Sequence, residues 1–296
     1  MKNVSVRACA LVFLATLSVA SPTSAELICG VAAVGNATAM VTWDSATPTN
    51  LVTSTFVTGL QTNETLVGID VRTSTGQLYA LGSSSRLYTV DSASGIAVPV
   101  GAGTPFAPAL SGNEFGFEFD PILDRIRVVS NADMNLLVNP VTGQVESVLP
   151  NLSYGNLVNP NVVHLAHTDN VSPTPITRLF GIDSGLDQLV EQDVNTGALS
   201  LVGGLGLDVS AIGGFDVSAS GVAYAALLPA GSSTSLFYSI DLNTGAASLV
   251  DQIDGGLLIT AMAVLPTDNV IPEPSTAALS ALAMLGCAMA RRRRVG

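Results

Sequence analysis

Lysine is almost absent from this chain, the single one being Lys2, and five of the ten arginines stand at the ends as Arg7 and Arg291–Arg294. Residues 26–270 hold 22 aspartates and glutamates against five arginines (Arg72, Arg86, Arg125, Arg127, Arg178), a net charge near −17. Such a surface excludes nucleic acid and other polyanions as partners, because phosphate recognition depends on clustered cationic side chains. It favours solubility first and attraction of divalent cations second. Cysteine is equally scarce. Cys9 and Cys287 fall in apolar terminal runs, so Cys29 has no intramolecular partner, no disulfide framework exists, and stability must come from a packed core. Cys29 itself reads as a small buried apolar residue. No HExxH, CxxC, Walker or GxSxG pattern occurs, and Gly203-Gly204-Leu205-Gly206 lacks the strand–loop–helix context of a phosphate cradle. No segment between the termini has a sustained 3.6-residue apolar period with helix caps.

The two ends carry address labels. Lys2 and Arg7 precede an apolar run from Ala8 to Ala20, and Thr23-Ser24-Ala25 places small residues before Glu26, so residues 1–25 read as a signal peptide. Neither Cys9 nor Cys29 follows the small-residue box that lipoprotein processing requires. At the other end, Pro272, Glu273, Pro274 and Ser275 precede an uncharged stretch, Thr276 to Ala290, and then Arg291, Arg292, Arg293 and Arg294. The arginines should stay cytoplasmic, leaving everything before the apolar stretch across the membrane. As a helix, those 15 residues span roughly 22 Å against a hydrocarbon core of about 30 Å. Alanine-rich, with only Leu279, Leu282 and Leu285 as leucines, the helix crosses but anchors weakly. This tail, residues 271–296, resembles the PEP-CTERM sorting signal of Gram-negative bacteria. The resemblance implies recognition and processing by an exosortase, a membrane cysteine protease, and delivery of the cargo to the cell surface or extracellular matrix. An ordinary C-terminal anchor is the plainer alternative.

Between the labels the chain repeats. A turn beginning with Asp or Asn recurs as Asp44-Ser-Ala-Thr-Pro48, Asp91-Ser-Ala-Ser-Gly95, Asn139-Pro-Val-Thr-Gly143, Asp193-Val-Asn-Thr-Gly197 and Asp241-Leu-Asn-Thr-Gly245, at separations of 47, 48, 54 and 48 residues. The side chain of Asp or Asn caps turn N–H groups and Gly accepts a positive φ, so these are turn-makers before they are ligands. Short β-like runs flank each turn, at residues 39–43, 86–90, 135–138, 187–192 and 236–240 before it and 53–58, 96–100, 145–149, 199–202 and 247–253 after it. Further upstream lie 28–33, 77–81, 126–130, 178–182 and 222–227, and the later repeats open with 66–71, 115–120, 162–167 and 213–217. A period near 50 in such a chain predicts propeller blades. The first repeat lacks an opening strand, and residues 257–265 (LLITAMAVL) have that character with no blade of their own. Paired beside residues 28–33, they close the ring and remove its open edges. The fold expected is all-β: a five-bladed propeller over residues 26–270, closed by a C-terminal strand, with a signal peptide before it and a single transmembrane helix after it. An open stack of the same units is the rival, but capping segments for it are not evident.

Residues 115–145 (FGFEFDPILDRIRVVSNADMNLLVNPVTGQV), 178–199 and 235–250 look like the bacterial DUF4394 domain. The likeness covers nearly all of the region between the labels. It implies a single propeller-like domain and transfers no activity, since that family has no established catalytic residues to carry over.

No catalytic, cofactor-binding or metal-ligating set stands out. His164 and His167, three apart on a strand, should face opposite sides and share no metal. The best remaining constellation is Asp70, Asp120 and Asp216 near the ends of opening strands, with Glu118 nearby. Opening strands line the channel of a propeller, so hard oxygen ligands gathered there would suit Ca²⁺. The simpler reading has each carboxylate capping its own strand–turn junction or pairing with Arg72, Arg125 or Arg127. Glycosylation triplets at Asn36, Asn63, Asn151 and Asn170 are expected by chance in so Asn-rich a sequence. The reading that follows is a non-enzymatic, surface-exported protein that binds an extracellular polysaccharide or surface protein as part of the envelope or matrix. Signal peptidase and exosortase are its processing partners, and the C-terminal helix is its transient contact with the inner membrane. A hydrolase, lyase or lactonase with a metal at the channel mouth is the alternative, by analogy of fold alone. A small-molecule sensor would need a sizeable polar pocket at one mouth.

Overall fold

The computed structural model describes residues 25–35, 37–168 and 177–266. The signal peptide, the sorting tail, Cys9, Cys287 and the triplets at Asn36 and Asn170 lie outside the described residues. Within them the chain forms twenty strands, and no helix is long and apolar enough to cross a membrane. In chain order the strands are β1 (Leu27–Val34), β2 (Ala37–Asp44) and β3 (Leu51–Phe56), then β4 (Leu66–Arg72), β5 (Gln77–Gly82), β6 (Arg86–Val90) and β7 (Ala97–Pro99). Next come β8 (Phe115–Asp120), β9 (Arg125–Ser130), β10 (Asn135–Val138) and β11 (Val145–Val148), then β12 (Val162–His167), β13 (Leu179–Asp183), β14 (Gln188–Gln192) and β15 (Leu199–Gly204). The last are β16 (Val209–Val217), β17 (Ala223–Pro229), β18 (Leu236–Ile240), β19 (Ala247–Gln252) and β20 (Leu258–Val264).

They assemble into five antiparallel sheets of four: β4 to β7, β8 to β11, β12 to β15, β16 to β19, and a composite sheet ordered β20-β1-β2-β3. The composite blade carries the closure. β20 runs antiparallel to β1 with Ile28 opposite Val264, Cys29 opposite Ala263, Gly30 opposite Met262 and Val31 opposite Ala261. The inner strands follow one another around an axis, β4 against β8, β8 against β12, β12 against β16, β16 against β20 and β20 against β4. The architecture is a closed five-bladed propeller.

Burial explains why the sequence changes character from the axis outward. Inner strands are covered on both faces, and β12 (VVHLAH) is buried at every residue, its two histidines included, so it shows no alternation of apolar and solvent-facing residues. Outer strands have one face in water, and β3 (LVTSTF) alternates half-buried and exposed residues along its length. Apolar side chains fill the joints between blades rather than a single central core. Trp43 of β2, Phe237 of β18 and Ile259 and Met262 of β20 share the cluster that seals the first blade to the last.

The repeated turns are as the sequence pattern requires. Asp91 Oδ1 accepts from the N–H groups of Ala93 and Ser94 at 3.0 and 2.7 Å, Asn139 Oδ1 from Val141 and Thr142 at 2.9 and 3.1 Å, and Asp193 Oδ1 from Asn195 and Thr196 at 2.9 and 2.8 Å. Gly95 closes its turn at φ 71°. A Cβ there would come within 2.3 Å of the Phe56 carbonyl oxygen in the neighbouring blade, so the glycine serves both the turn and the blade joint.

Candidate functional site

Each inner strand is the edge of its sheet, so its outward-directed N–H groups find no ladder partner and need another acceptor. Three carboxylates on the axis supply it. Asp70 on β4 accepts from Val71 N on its own strand and from Phe119 N on β8, both at 2.6 Å. Glu118 on β8 accepts from His167 N on β12 at 2.9 Å. Asp216 on β16 accepts from Val217 N on its own strand and from Val264 N on β20, both at 2.6 Å. One N–H from each of the five inner strands is thereby bonded by three side chains. The division of labour follows from sequence. Ala166 on β12 and Ala263 on β20 occupy the corresponding positions and have no acceptor to offer. Each aspartate therefore bonds an N–H of its own strand as well as one of the next, whereas Glu118, longer by a methylene, bonds an N–H of the next strand only and meets the Asp70 carboxyl on the other side.

Asp70, Glu118 and Asp216 are fully enclosed, and one oxygen from each lies within 4.8 Å of the others. Burial pushes the Asp70 carboxyl up to about 7, against the bonds from Phe119 and Val71. Burial and then the charge of Asp70 raise Glu118 and Asp216 well above the usual carboxylate range. Three mutually close, buried carboxyls favour holding protons unless a cation compensates them.

Glu118, not Asp120, is the residue that joins Asp70 and Asp216. Asp120 lies two positions farther along β8, where its Oδ1 accepts from the N–H groups of Ile122 and Leu123 at 3.0 and 2.9 Å. Its Oδ2 sits 3.9 Å from both Arg127 Nη2 and His167 Nε2. It caps its turn and faces a buried arginine, which is the simpler of the two sequence readings. The signal that finds the right residue is a triplet, Gly68-Ile69-Asp70, Gly116-Phe117-Glu118 and Gly214-Phe215-Asp216. Its glycine lets adjacent inner strands approach: a Cβ on Gly68 would meet Phe117 Cβ at 2.5 Å.

The histidines separate as their strand spacing predicts. His164 lines the axis, with a buried Nε2 that has no hydrogen-bond partner, while His167 Nδ1 lies 2.9 Å from Thr177 Oγ1. Burial lowers both to about 4, so both are neutral at pH 7. Cys29 is inert, its thiol pushed up to about 12 by burial.

The axis opens unevenly. On one side a funnel of about 670 Å³ takes residues from all five blades, among them Asn63, Glu64, Asn113, Glu114, Phe115 and His164. Glu64 is fixed there: its carboxylate accepts from Tyr88 Oη at 2.5 Å and from the Ser84 hydroxyl. Burial pushes Glu64 up, and bonds from Ser84 and Tyr88 bring it below its ordinary value, whereas burial alone raises Glu114. Beneath the funnel the channel narrows to about 20 Å³ between Gly68, Gly116, His164 and Gly214. On the far side a cavity of about 70 Å³ lies against Glu26, Asp70 and Asp216. The sequence gives little warning of the funnel, which arises where the β1–β2 hairpin and the loops before β4 and β8 meet.

A family profile described as a domain of unknown function, DUF4394, matches residues 39–263, and the PEP-CTERM protein-sorting motif matches residues 270–294. The motif marks an exported protein processed at the membrane by an exosortase. No curated protein matches the chain. Among solved structures, a structural genomics protein of unknown function from Bacteroides thetaiotaomicron VPI-5482 is similar at 16% identity and a TM-score of 0.48, over 84% of this chain and 63% of that one. The chain spans less than two thirds of that structure's length. With the profile covering most of its length, on a five-bladed propeller, this chain belongs to the DUF4394 family and ends in a PEP-CTERM sorting motif.

Proposed function

We propose that the propeller is a non-enzymatic binding protein of the envelope or extracellular matrix, which holds a segment of a neutral polysaccharide in its funnel. The observation that carries this reading is the funnel itself, 670 Å³ in volume and built from all five blades. Pockets of this size enclose small ligands or chain segments. Its amides and hydroxyls (Asn63, Asn113, Thr38, Thr260) suit sugar hydroxyls, and Phe115 adds an apolar side chain to the lining. No lysine or arginine among the described residues lines it, which disfavours an anionic polymer. The alternative, a hydrolase, lyase or lactonase with a metal at the channel mouth, would have to use Glu64, Glu114 and His164, because the channel narrows to about 20 Å³ between the funnel and the axial carboxylates.

Calorimetric titration of the exported protein with neutral and acidic matrix polysaccharides tests the assignment. A neutral polymer should bind, and Asn113→Ala with Thr38→Ala should weaken it at least tenfold while leaving the melting temperature within a few degrees. Binding confined to acidic polymers, or unchanged in the double variant, would refute it. The tail belongs to the same reading: its helix holds the protein transiently in the inner membrane until cleavage releases it to the surface. Terminal mass spectrometry of surface protein should show the Arg291–Arg294 end removed in an exosortase-competent host and retained in a deficient one. An intact tail on mature surface protein of the competent host would contradict the sorting account.

A further inference from the structure

We infer that Asp70, Glu118 and Asp216 hold one divalent hard cation of the Ca²⁺ class on the propeller axis, with Glu26 as an outer carboxylate beside it. This goes beyond the funnel reading, because the site lies on the other side of the constriction and serves the ring rather than the ligand.

The spacing fits. Ca²⁺ takes oxygen ligands at about 2.3–2.6 Å, so oxygens on opposite sides of an ion stand roughly 4.8 Å apart, and one oxygen of each carboxylate lies within 4.8 Å of the other two. The backbone bonds from Val71, Phe119, His167, Val217 and Val264 hold the three groups in place. A carboxylate oxygen can accept such a bond and still ligate a cation through its second lone pair, and an ion here would displace the proton through which Glu118 and Asp70 are bonded.

Glu26 is the independent observation. Glu26 lines the cavity that Asp70 and Asp216 also line, the residue is only 6% exposed, and its buried Oε2 has no hydrogen-bond partner among the described residues. A buried carboxylate oxygen without a donor is costly unless a cation or an ordered water answers it. The cavity of about 70 Å³ has room for water between Glu26 and an ion on the axis, and no lysine, arginine or histidine lines it. Glu26, Asp70 and Asp216 line a space whose described lining supplies no countercharge, and Glu118 stands beside the two aspartates. An ion there would tie β4, β8 and β16 together across the ring, so its removal should be felt as a loss of stability.

The test uses the full protein exported by its host. Elemental analysis after gel filtration should find about one Ca²⁺ per chain. Excess EGTA should lower the melting temperature by roughly 5–10 °C, reversibly on adding Ca²⁺. Glu118→Gln should weaken Ca²⁺ binding at least tenfold and abolish the EGTA shift. Glu26→Gln, which removes no ligand, should weaken binding less and leave the fold intact, so it remains informative if Glu118→Gln does not fold. A wild-type protein with no bound divalent ion and a melting temperature indifferent to Ca²⁺ and EGTA would overturn the assignment. So would a Glu118→Gln protein that melts higher than wild type with Ca²⁺ present, since that is the behaviour of carboxyls sharing protons.

Discussion

Ending the chain after Ile253 should abolish cooperative folding. The missing β20 contributes the innermost strand of the first blade, and without it β1 and the neighbouring inner strands β16 and β4 lose their partner. Ile259 and Met262 are almost wholly buried on it, and burying side chains of that size contributes about 1.5–3 kcal/mol each. Val264 N also leaves Asp216, which then has a buried oxygen without that donor. Together with the lost ladder to β1, these terms consume most of a domain stability that typically totals about 5–15 kcal/mol. The expected product has no sharp thermal transition, aggregates through its open edges, and shows red-shifted emission from Trp43, the sole tryptophan of the chain. A truncated chain that melts cooperatively at the wild-type temperature would show that the ring does not depend on this strand.

Trp43→Ala should be the most damaging single substitution at the seam. The indole has no exposed surface, meets the Phe237 ring edge-on with centroids 5.6 Å apart, and joins the cluster shared by the first and last blades. Truncating a buried Trp of this kind costs about 3–5 kcal/mol, which for a domain of this size lowers the melting temperature by roughly 10 °C. Trp43→Phe sharpens the prediction. The indole Nε1 is buried without a hydrogen-bond partner, so its removal strands no acceptor and the cost should stay near 1 kcal/mol. Differential scanning calorimetry of the two variants checks both numbers. Equal losses would mean that the seam is held by something other than the packing of this ring.

Much of this architecture is written openly in the chain. The Asp or Asn that starts each turn and the Gly that ends four of the five are read directly, because local capping and a positive φ fix them without reference to the rest of the fold. The closure is legible too, since residues 257–265 have the composition of a strand buried on both faces and no neighbour in sequence to pair with. The axial site is less legible. Asp120 resembles Asp70 and Asp216 in type and in lying toward a strand end. Which carboxylates share a level depends on how adjacent blades are staggered, and the glycine two positions earlier reports that more faithfully than the strand end does. Glu26 is invisible for a different reason: its neighbours are Asp70 and Asp216, distant in sequence, and its own context is the junction after a signal peptide. The funnel depends on loop lengths in several blades at once, and no periodic pattern encodes it.

The account stands on the pairing of the last strand with the first. Amide–amide nuclear Overhauser contacts in the deuterated, amide-protonated protein test it directly, because in an antiparallel ladder alternate opposed residues bring their N–H groups close. Contacts are expected at every second pair of the series Ile28–Val264, Cys29–Ala263, Gly30–Met262 and Val31–Ala261. A folded protein showing none of them, with the amides of residues 258–264 exchanging freely with solvent, would contradict the closed ring.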